Sequence, residues 1–305
     1  MAIDYEVREH IGYITLNMPE KANILDHETS DQISQAWKEA WEDREVRVVI
    51  LTGTGDRHFC AGHNLQQVPG VSQSDREFNM AYRTFWPEAG TVHGTKVGAD
   101  PHMGDHYPQI WKPVIAAING WAAGAGLYLT LGSTDIRIAS AEHARFKFAL
   151  LRLGGLGGGP GATLLLQQLR YIDAMKMLLT DQEVDAAEAL RIGLVNEVVP
   201  HAQLMARAEE IARQIVAMPP VAARMMKEFA NRFRDLPFDQ KWHVQNLMTS
   251  LLQNMTNDGE EGRRAFNEKR PANYTGQLRA RGEPFPEPSP EDWERLDDLR
   301  RRRVY

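Results

Sequence analysis

The run Lys112-Pro113-Val114-Ile115-Ala116-Ala117-Ile118-Asn119-Gly120-Trp121-Ala122-Ala123-Gly124-Ala125-Gly126-Leu127 constrains the chain more than any other segment. Val114–Ile118 is continuously apolar, too short for a stable helix, and followed by Asn-Gly. That pattern predicts a buried strand and a turn. Small residues then fill most positions up to Leu127, where a helix is expected to begin. Small residues at a strand-to-helix junction let another group approach the backbone closely.

Two other segments share this character: Phe59-Cys60-Ala61-Gly62-His63-Asn64-Leu65, directly after a predicted strand, and Leu153-Gly154-Gly155-Leu156-Gly157-Gly158-Gly159-Pro160-Gly161, before a helix. The first amides of a helix lack an internal partner, and the helix dipole adds positive potential there. Such a junction suits a developing negative charge. Two facing junctions could hold one oxygen between two N–H donors, an oxyanion hole worth roughly a few kcal/mol per donor. The same small residues equally suit tight helix–strand packing, so on spacing alone both readings stand. None of the three matches the G-x-G-x-x-G dinucleotide fingerprint, and none carries a P-loop lysine.

Elsewhere the periodicity predicts strands at Tyr5–Arg8, Tyr13–Leu16, Val46–Thr52 and Ile136–Ala139. It predicts helices near His27–Glu42, Leu127–Leu131, Ala162–Leu169, Asp173–Leu179, Ala186–Ile192 and His201–Ala217. In the first helix Ile33, Ala36, Trp37, Ala40 and Trp41 fall on one face. Strands alternate with helices through two thirds of the chain and the last third is helical, which implies an α/β body with a helical C-terminal part. Two stretches stand apart. Gln66–Trp111 has poor periodicity and scattered Phe85, Trp86, His93, His102, Asp105, His106 and Tyr107; it reads as a long loop, either a lid or incidental surface. Thr275–Tyr305 opens polar and Pro-rich and is expected to end in a short helix capped by Ser289 with Pro290 first.

The 305 residues allow one large domain or two smaller ones, and a net charge of −6 argues against a nucleic-acid surface. Basic residues cluster at Arg263, Arg264, Lys269, Arg270 and Arg300 to Arg303, a solvated face or a local anion site. The single cysteine, Cys60, excludes a disulfide within the chain and a cysteine-rich metal site. The first residues lack a signal-peptide pattern and no apolar run suits a membrane span. A cytoplasmic protein is expected, with no membrane or nucleic-acid partner and no metal.

At this point the sequence resembles a known family, the crotonase superfamily of enoyl-CoA hydratases and isomerases. FCAGHNL is similar to its A-G-x-D motif, KPVIAAINGWAAGAGLYL to its K-P-V-I-A-A-V-N-G motif, and RFKFALLRLGGLGGGPG to its R-F-x-x-P-E-x-x-L-G motif. DAAEALRIGLV and EGRRAFNEKR resemble two later signatures. The five lie in the family's order over about 270 residues. The resemblance implies an α/β spiral of ββα units over residues 1–200, a helical trimerisation region over 201–274 and a tail extension over 275–305. It implies a homotrimer or hexamer acting on an acyl-CoA thioester, with no cofactor beyond the coenzyme A carried by the substrate. The oxyanion amides fall on His63 and Ala125. The adenine end of coenzyme A falls on Lys21, Ala22 and Ile24 with Ala61, His63 and Leu65, while Phe266 and Lys269 would reach a neighbouring subunit's coenzyme A.

The chain also departs from the pattern. The two glutamates of hydratases in this family fall on Tyr128 and Leu150, the proline before the second on Ala149, the aspartate of the first motif on Asn64, and the middle glycine of the second on Ala125. Leucine can transfer no proton, and a phenol of pKa about 10 is a poor base at neutral pH. Tyr128 as a donor, the His63 imidazole, and His93, Asp105, His102 or His106 from the long loop are the candidate substitutes. Trp121 and Trp86 are candidates for shaping an acyl pocket. Three functions follow: an enolate-forming acyl-CoA enzyme with altered acid/base groups, a non-catalytic acyl-CoA binder, or a hydrolase of a diketone without coenzyme A.

Overall fold

A computed structural model describes residues 2–64, 72, 74–75, 78, 81, 108, 110–157, 159–279 and 289–302. The N-terminal hairpin pairs β1 (Ile3–Arg8) antiparallel with β2 (Ile11–Leu16). Helix α1 (His27–Glu42) follows, capped by Asp26, whose carboxylate accepts the Thr29 N–H at 2.9 Å. Its predicted face is buried, with Trp37 fully enclosed.

From here the chain repeats one gesture. β3 (Val48–Gly53) is followed by β4 (His58–Cys60), then β5 (Val114–Ile118) by β6 (Trp121–Ala123) and helix α2 (Ala125–Ser133). β7 (Ile136–Ser140) is followed by β8 (Arg145–Lys147), and helix α3 (Gly161–Gln168) comes after it. The first strand of each pair joins a six-stranded sheet, β1-β2-β3-β5-β7-β10, and the second a four-stranded sheet, β4-β6-β8-β9. The last members are β9 (Val184–Asp185) and β10 (Glu197–Val199), separated by α5 (Ala186–Ile192), with α4 (Tyr171–Thr180) before them. This is the expected spiral of ββα units.

Central strands of the large sheet are covered on both sides, and alternation decides which residue goes where. Val49, Leu51, Val114, Ala116, Ile118 and Ala139 face one core, shared with α1, α2 and the small sheet. Val48, Ile50, Ile115, Ala117 and Ile138 face another, closed by Leu204, Ala208 and Ala212 of α6 (Leu204–Val216). Helices α7 (Pro220–Phe233), α8 (Phe238–Met255) and α9 (Asp258–Glu268) complete the helical part, and α10 (Pro290–Arg301) ends it with Ser289 Oγ accepting the Asp292 N–H at 3.1 Å.

Several expectations need correction. The first glycine-rich segment opens in a strand of its own, His58–Cys60, and Trp121–Ala123 is another within the small-residue run. Three-residue strands are too short to display a period, so only their pairing partners define them. The second helix extends from Ala125 to Ser133, beyond the predicted Leu127–Leu131, and His201–Gln203 is a 3-10 turn ahead of α6. Residues 275–276 at the start of the expected tail are tied to the body: Asp258 accepts the Thr275 N–H at 2.9 Å and the Gly276 N–H at 3.0 Å.

Candidate active site

The site grows from the second glycine-rich junction. Gly124 takes a backbone (φ 52, ψ −120) that side-chain-bearing residues avoid, and this aims the first turn of α2 across the edge of the small sheet. Eight of the nine residues of α2 are buried, and a Cβ on Gly126 would collide with the Cys60 carbonyl, so the helix start is pressed onto β4. At the other end the buried Arg137 guanidinium donates to the carbonyls of Thr130 at 3.1 Å and Leu131 at 3.3 Å. A cation at a helix C-terminus complements the dipole, although burial pulls its pKa down to about 10.

The first junction lies directly against this helix start. Gly62 has φ 95, and a methyl group on it would stand 2.7 Å from the Ala123 carbonyl oxygen and 3.0 Å from the Ala125 nitrogen. Ala125 is the first residue of α2, so its N–H has no carbonyl a turn behind it to bond. Beyond Gly62 the chain bridges Leu25: the Leu25 N–H donates to the Gly62 carbonyl at 2.8 Å and the Asn64 N–H to the Leu25 carbonyl at 3.0 Å. In such a ladder the intervening residue's amide points the other way, and for His63 that is away from Leu25.

The turn at 21–25 belongs to the same cluster. Ala22 is left-handed (φ 57) and its carbonyl accepts the Ala61 N–H at 3.1 Å, while the Ile24 N–H donates to Lys21 at 3.3 Å. Asn23, almost fully buried, pins the turn to the Met18, Thr54 and His58 backbone. Thus Lys21, Ala22, Ile24, Ala61, His63 and Ala125 are gathered in one place. Phe266 and Lys269 stand apart on α9 and at its left-handed cap, with Phe266 83% exposed. Leu65 lies outside the described residues, as do Phe85, Trp86, His93, His102, Asp105, His106 and Tyr107. Trp121 is half-buried in β6, its backbone in register with His58 and Arg145.

Tyr128, in the second turn of α2, is buried against the third glycine-rich segment. A side chain on Gly161 would collide with its ring and one on Gly157 with its hydroxyl, while Leu150 Cδ1 lies 2.5 Å from the same Gly157 Cβ position. Tyr128 and Leu150 therefore meet at Gly157, with Phe148 beside them at 6.2 Å between ring centroids. Burial pushes the Tyr128 phenol up to about 12, so at neutral pH it is a hydrogen donor. Sequence reading missed Asn23 and Asp181, whose carboxylate accepts the Ala149 N–H at 2.6 Å. For Asn23 one signal existed: asparagine tolerates the left-handed backbone (φ 50) a tight turn needs.

No helix among the described residues is long and apolar enough to cross a membrane. A family model described as enoyl-CoA hydratase/isomerase matches residues 6–99 and 101–277. The (E)-benzylidenesuccinyl-CoA hydratase of Thauera aromatica is 34% identical over 276 residues, covering 90% of this chain and 100% of that protein. The short-chain-enoyl-CoA hydratase of Clostridium acetobutylicum is 35% identical over 226 residues, covering 73% and 78%. The crystal structure of an enoyl-CoA hydratase from Bacillus anthracis superposes with a TM-score of 0.77 at 29% identity, covering 91% of this chain and 100% of that one.

Proposed function

The chain belongs to the enoyl-CoA hydratase/isomerase family, and we propose that it binds an acyl-CoA thioester and stabilises its enolate between the backbone N–H groups of His63 and Ala125. One observation carries this reading: Gly62 lies so close to the helix start that a methyl group on it would stand 2.7 Å from the Ala123 carbonyl oxygen and 3.0 Å from the Ala125 nitrogen, so the two glycine-rich junctions adjoin. Two fixed amides aimed at a carbonyl oxygen hold it more tightly as charge accumulates on it. Coenzyme A would run past the turn at Lys21–Ile24 and the Ala61–His63 strand.

The acyl end is Tyr128, Leu150 and Phe148. With its phenol protonated, Tyr128 supplies a proton to the enolate carbon; Leu150 supplies none. The apolar lining suits an acyl group with a bulky or aryl substituent, in keeping with the benzylidenesuccinyl-CoA hydratase among the relatives. Helix α8 buries no residue within the chain and exposes Phe238, Trp242, Leu247, Leu251 and Met255. That surface supports self-association, with Phe266 and Lys269 reaching a neighbour's coenzyme A.

A non-catalytic acyl-CoA binder is the second reading, favoured by the loss of glutamate at both Tyr128 and Leu150. Calorimetry with a saturated acyl-CoA and turnover assays over short, long and aryl-substituted 2-enoyl-CoAs separate the two. Binding with turnover supports the enzyme, and binding with none across the panel supports the binder.

A further inference from the structure

Taking up water needs a base, and neither Tyr128 nor Leu150 serves. Asp181 does have the chemistry. It caps the C-terminus of α4 and is 2% exposed. Its Oδ1 accepts the N–H of Ala149 at 2.6 Å, the residue directly before Leu150. Both partners of this bond are left-handed, Ala149 at φ 62 and Asp181 at φ 48. Non-glycine residues in that region are strained, and such strain gathers at functional sites.

The other oxygen, Oδ2, is closed off from solvent and has no hydrogen-bond partner among the described residues. A buried carboxylate oxygen in that state calls for a water, a proton or a ligand to complete it. Two other carboxylates of this stretch of chain are already engaged: Asp173 by Arg170 and Arg191, Glu183 by Arg145. A short path leads from Asp181 to the acyl end, since Ala149 adjoins Leu150 and Leu150 meets Tyr128 at Gly157.

We propose that Asp181 is the general base of this site, acting on a water held between Oδ2 and the acyl group. The water gives one proton to Oδ2 while its oxygen bonds to the acyl Cβ. The π electrons of the Cα=Cβ bond pass toward the thioester oxygen at the His63 and Ala125 amides. As the enolate collapses, Cα takes the Tyr128 hydroxyl proton, and the proton on Asp181 returns to the phenolate through water. One water is added and nothing is oxidised or reduced. This role rests on the oxyanion reading above.

The test compares the full chain with Asp181→Asn, which keeps an acceptor for Ala149, and Asp181→Gly, which keeps the left-handed backbone. The Asn variant is expected to lose about 10²- to 10⁴-fold in kcat on a 2-enoyl-CoA. It should bind a saturated acyl-CoA within about three-fold of the unmodified chain. Formate should restore part of the turnover in the Gly variant. A kcat for Asp181→Asn within about three-fold of the unmodified chain overturns the assignment. So does an unmodified chain that binds acyl-CoA but hydrates none of the panel, or unfolding of both variants, which would leave Asp181 a structural role alone. An unmodified chain that binds no acyl-CoA defeats the oxyanion reading itself, and this assignment with it.

Discussion

The Asn23 side chain donates to the His58 carbonyl at 2.8 Å, joining the turn at 21–25 to the strand that leads into Gly62. The same amide donates to Thr54 at 3.2 Å and accepts from Met18 at 2.9 Å. Asn23→Ala takes the side-chain partner from the Met18 N–H and the Thr54 carbonyl and one of two amide donors from the His58 carbonyl, which Asn119 also reaches at 3.1 Å, and stability should fall by about 2–4 kcal/mol. Its KM for acyl-CoA should rise more than its kcat falls, because the turn lies at the proposed coenzyme A end. Thermal denaturation and steady-state kinetics check both.

Gly62→Ala strains the backbone at φ 95 and places a methyl 2.7 Å from the Ala123 carbonyl and 3.0 Å from the Ala125 nitrogen. The two junctions are expected to move apart. A misplaced oxyanion donor costs about 10²- to 10³-fold in kcat, while a saturated acyl-CoA should still bind by calorimetry.

Glu261 accepts from Arg270 and Arg264, each at 2.6 Å, and from the Asn273 N–H at 2.8 Å. The Arg270 bond first, then Asn273 and Arg264, hold its carboxyl well below its ordinary 4.5. A depressed folded pKa means that the unfolded chain takes up the proton first as pH falls. The contribution is therefore complete above the ordinary glutamate range and is lost progressively as the pH drops below it. The melting-temperature gap between the unmodified chain and Glu261→Gln should be widest near neutrality and shrink steadily below about pH 4.5. A gap constant from pH 7 into acid would contradict the assignment.

Phe266 is 83% exposed and the Lys269 side chain is exposed too, only its backbone closing the end of α9, so neither side chain packs within the chain. Replacing either with alanine should leave the melting temperature of the isolated subunit within about 1 kcal/mol of equivalent stability. The KM for acyl-CoA should rise, most for Lys269→Ala with a phosphate-bearing coenzyme A and least with a truncated pantetheine thioester.

Much of this was legible in the residues. The buried runs Val48–Leu51 and Val114–Ile118 marked the large sheet, and the Trp37 face marked α1. The small sheet was hidden, since His58–Cys60, Trp121–Ala123 and Arg145–Lys147 are too short to show alternation and exist only through pairing. At the site, the glycine-rich junctions marked two segments, and only the family resemblance assigned the oxyanion amides within them to His63 and Ala125. Asp181 carried no signal: its importance arises because the fold brings the end of α4 against Ala149, 32 residues away.

The convergence of the His63 and Ala125 amides is tested most directly by the vibrational frequency of a bound, carbonyl-labelled acyl-CoA thioester. Ala125→Pro is the partner variant, because proline at the first helical position removes the N–H with little disturbance to the helix. In the unmodified chain the thioester C=O stretch should move to lower frequency than in water, and most of that shift should disappear in Ala125→Pro while the ligand remains bound. A carbonyl frequency unchanged from water, or a shift that survives Ala125→Pro intact, would contradict the account.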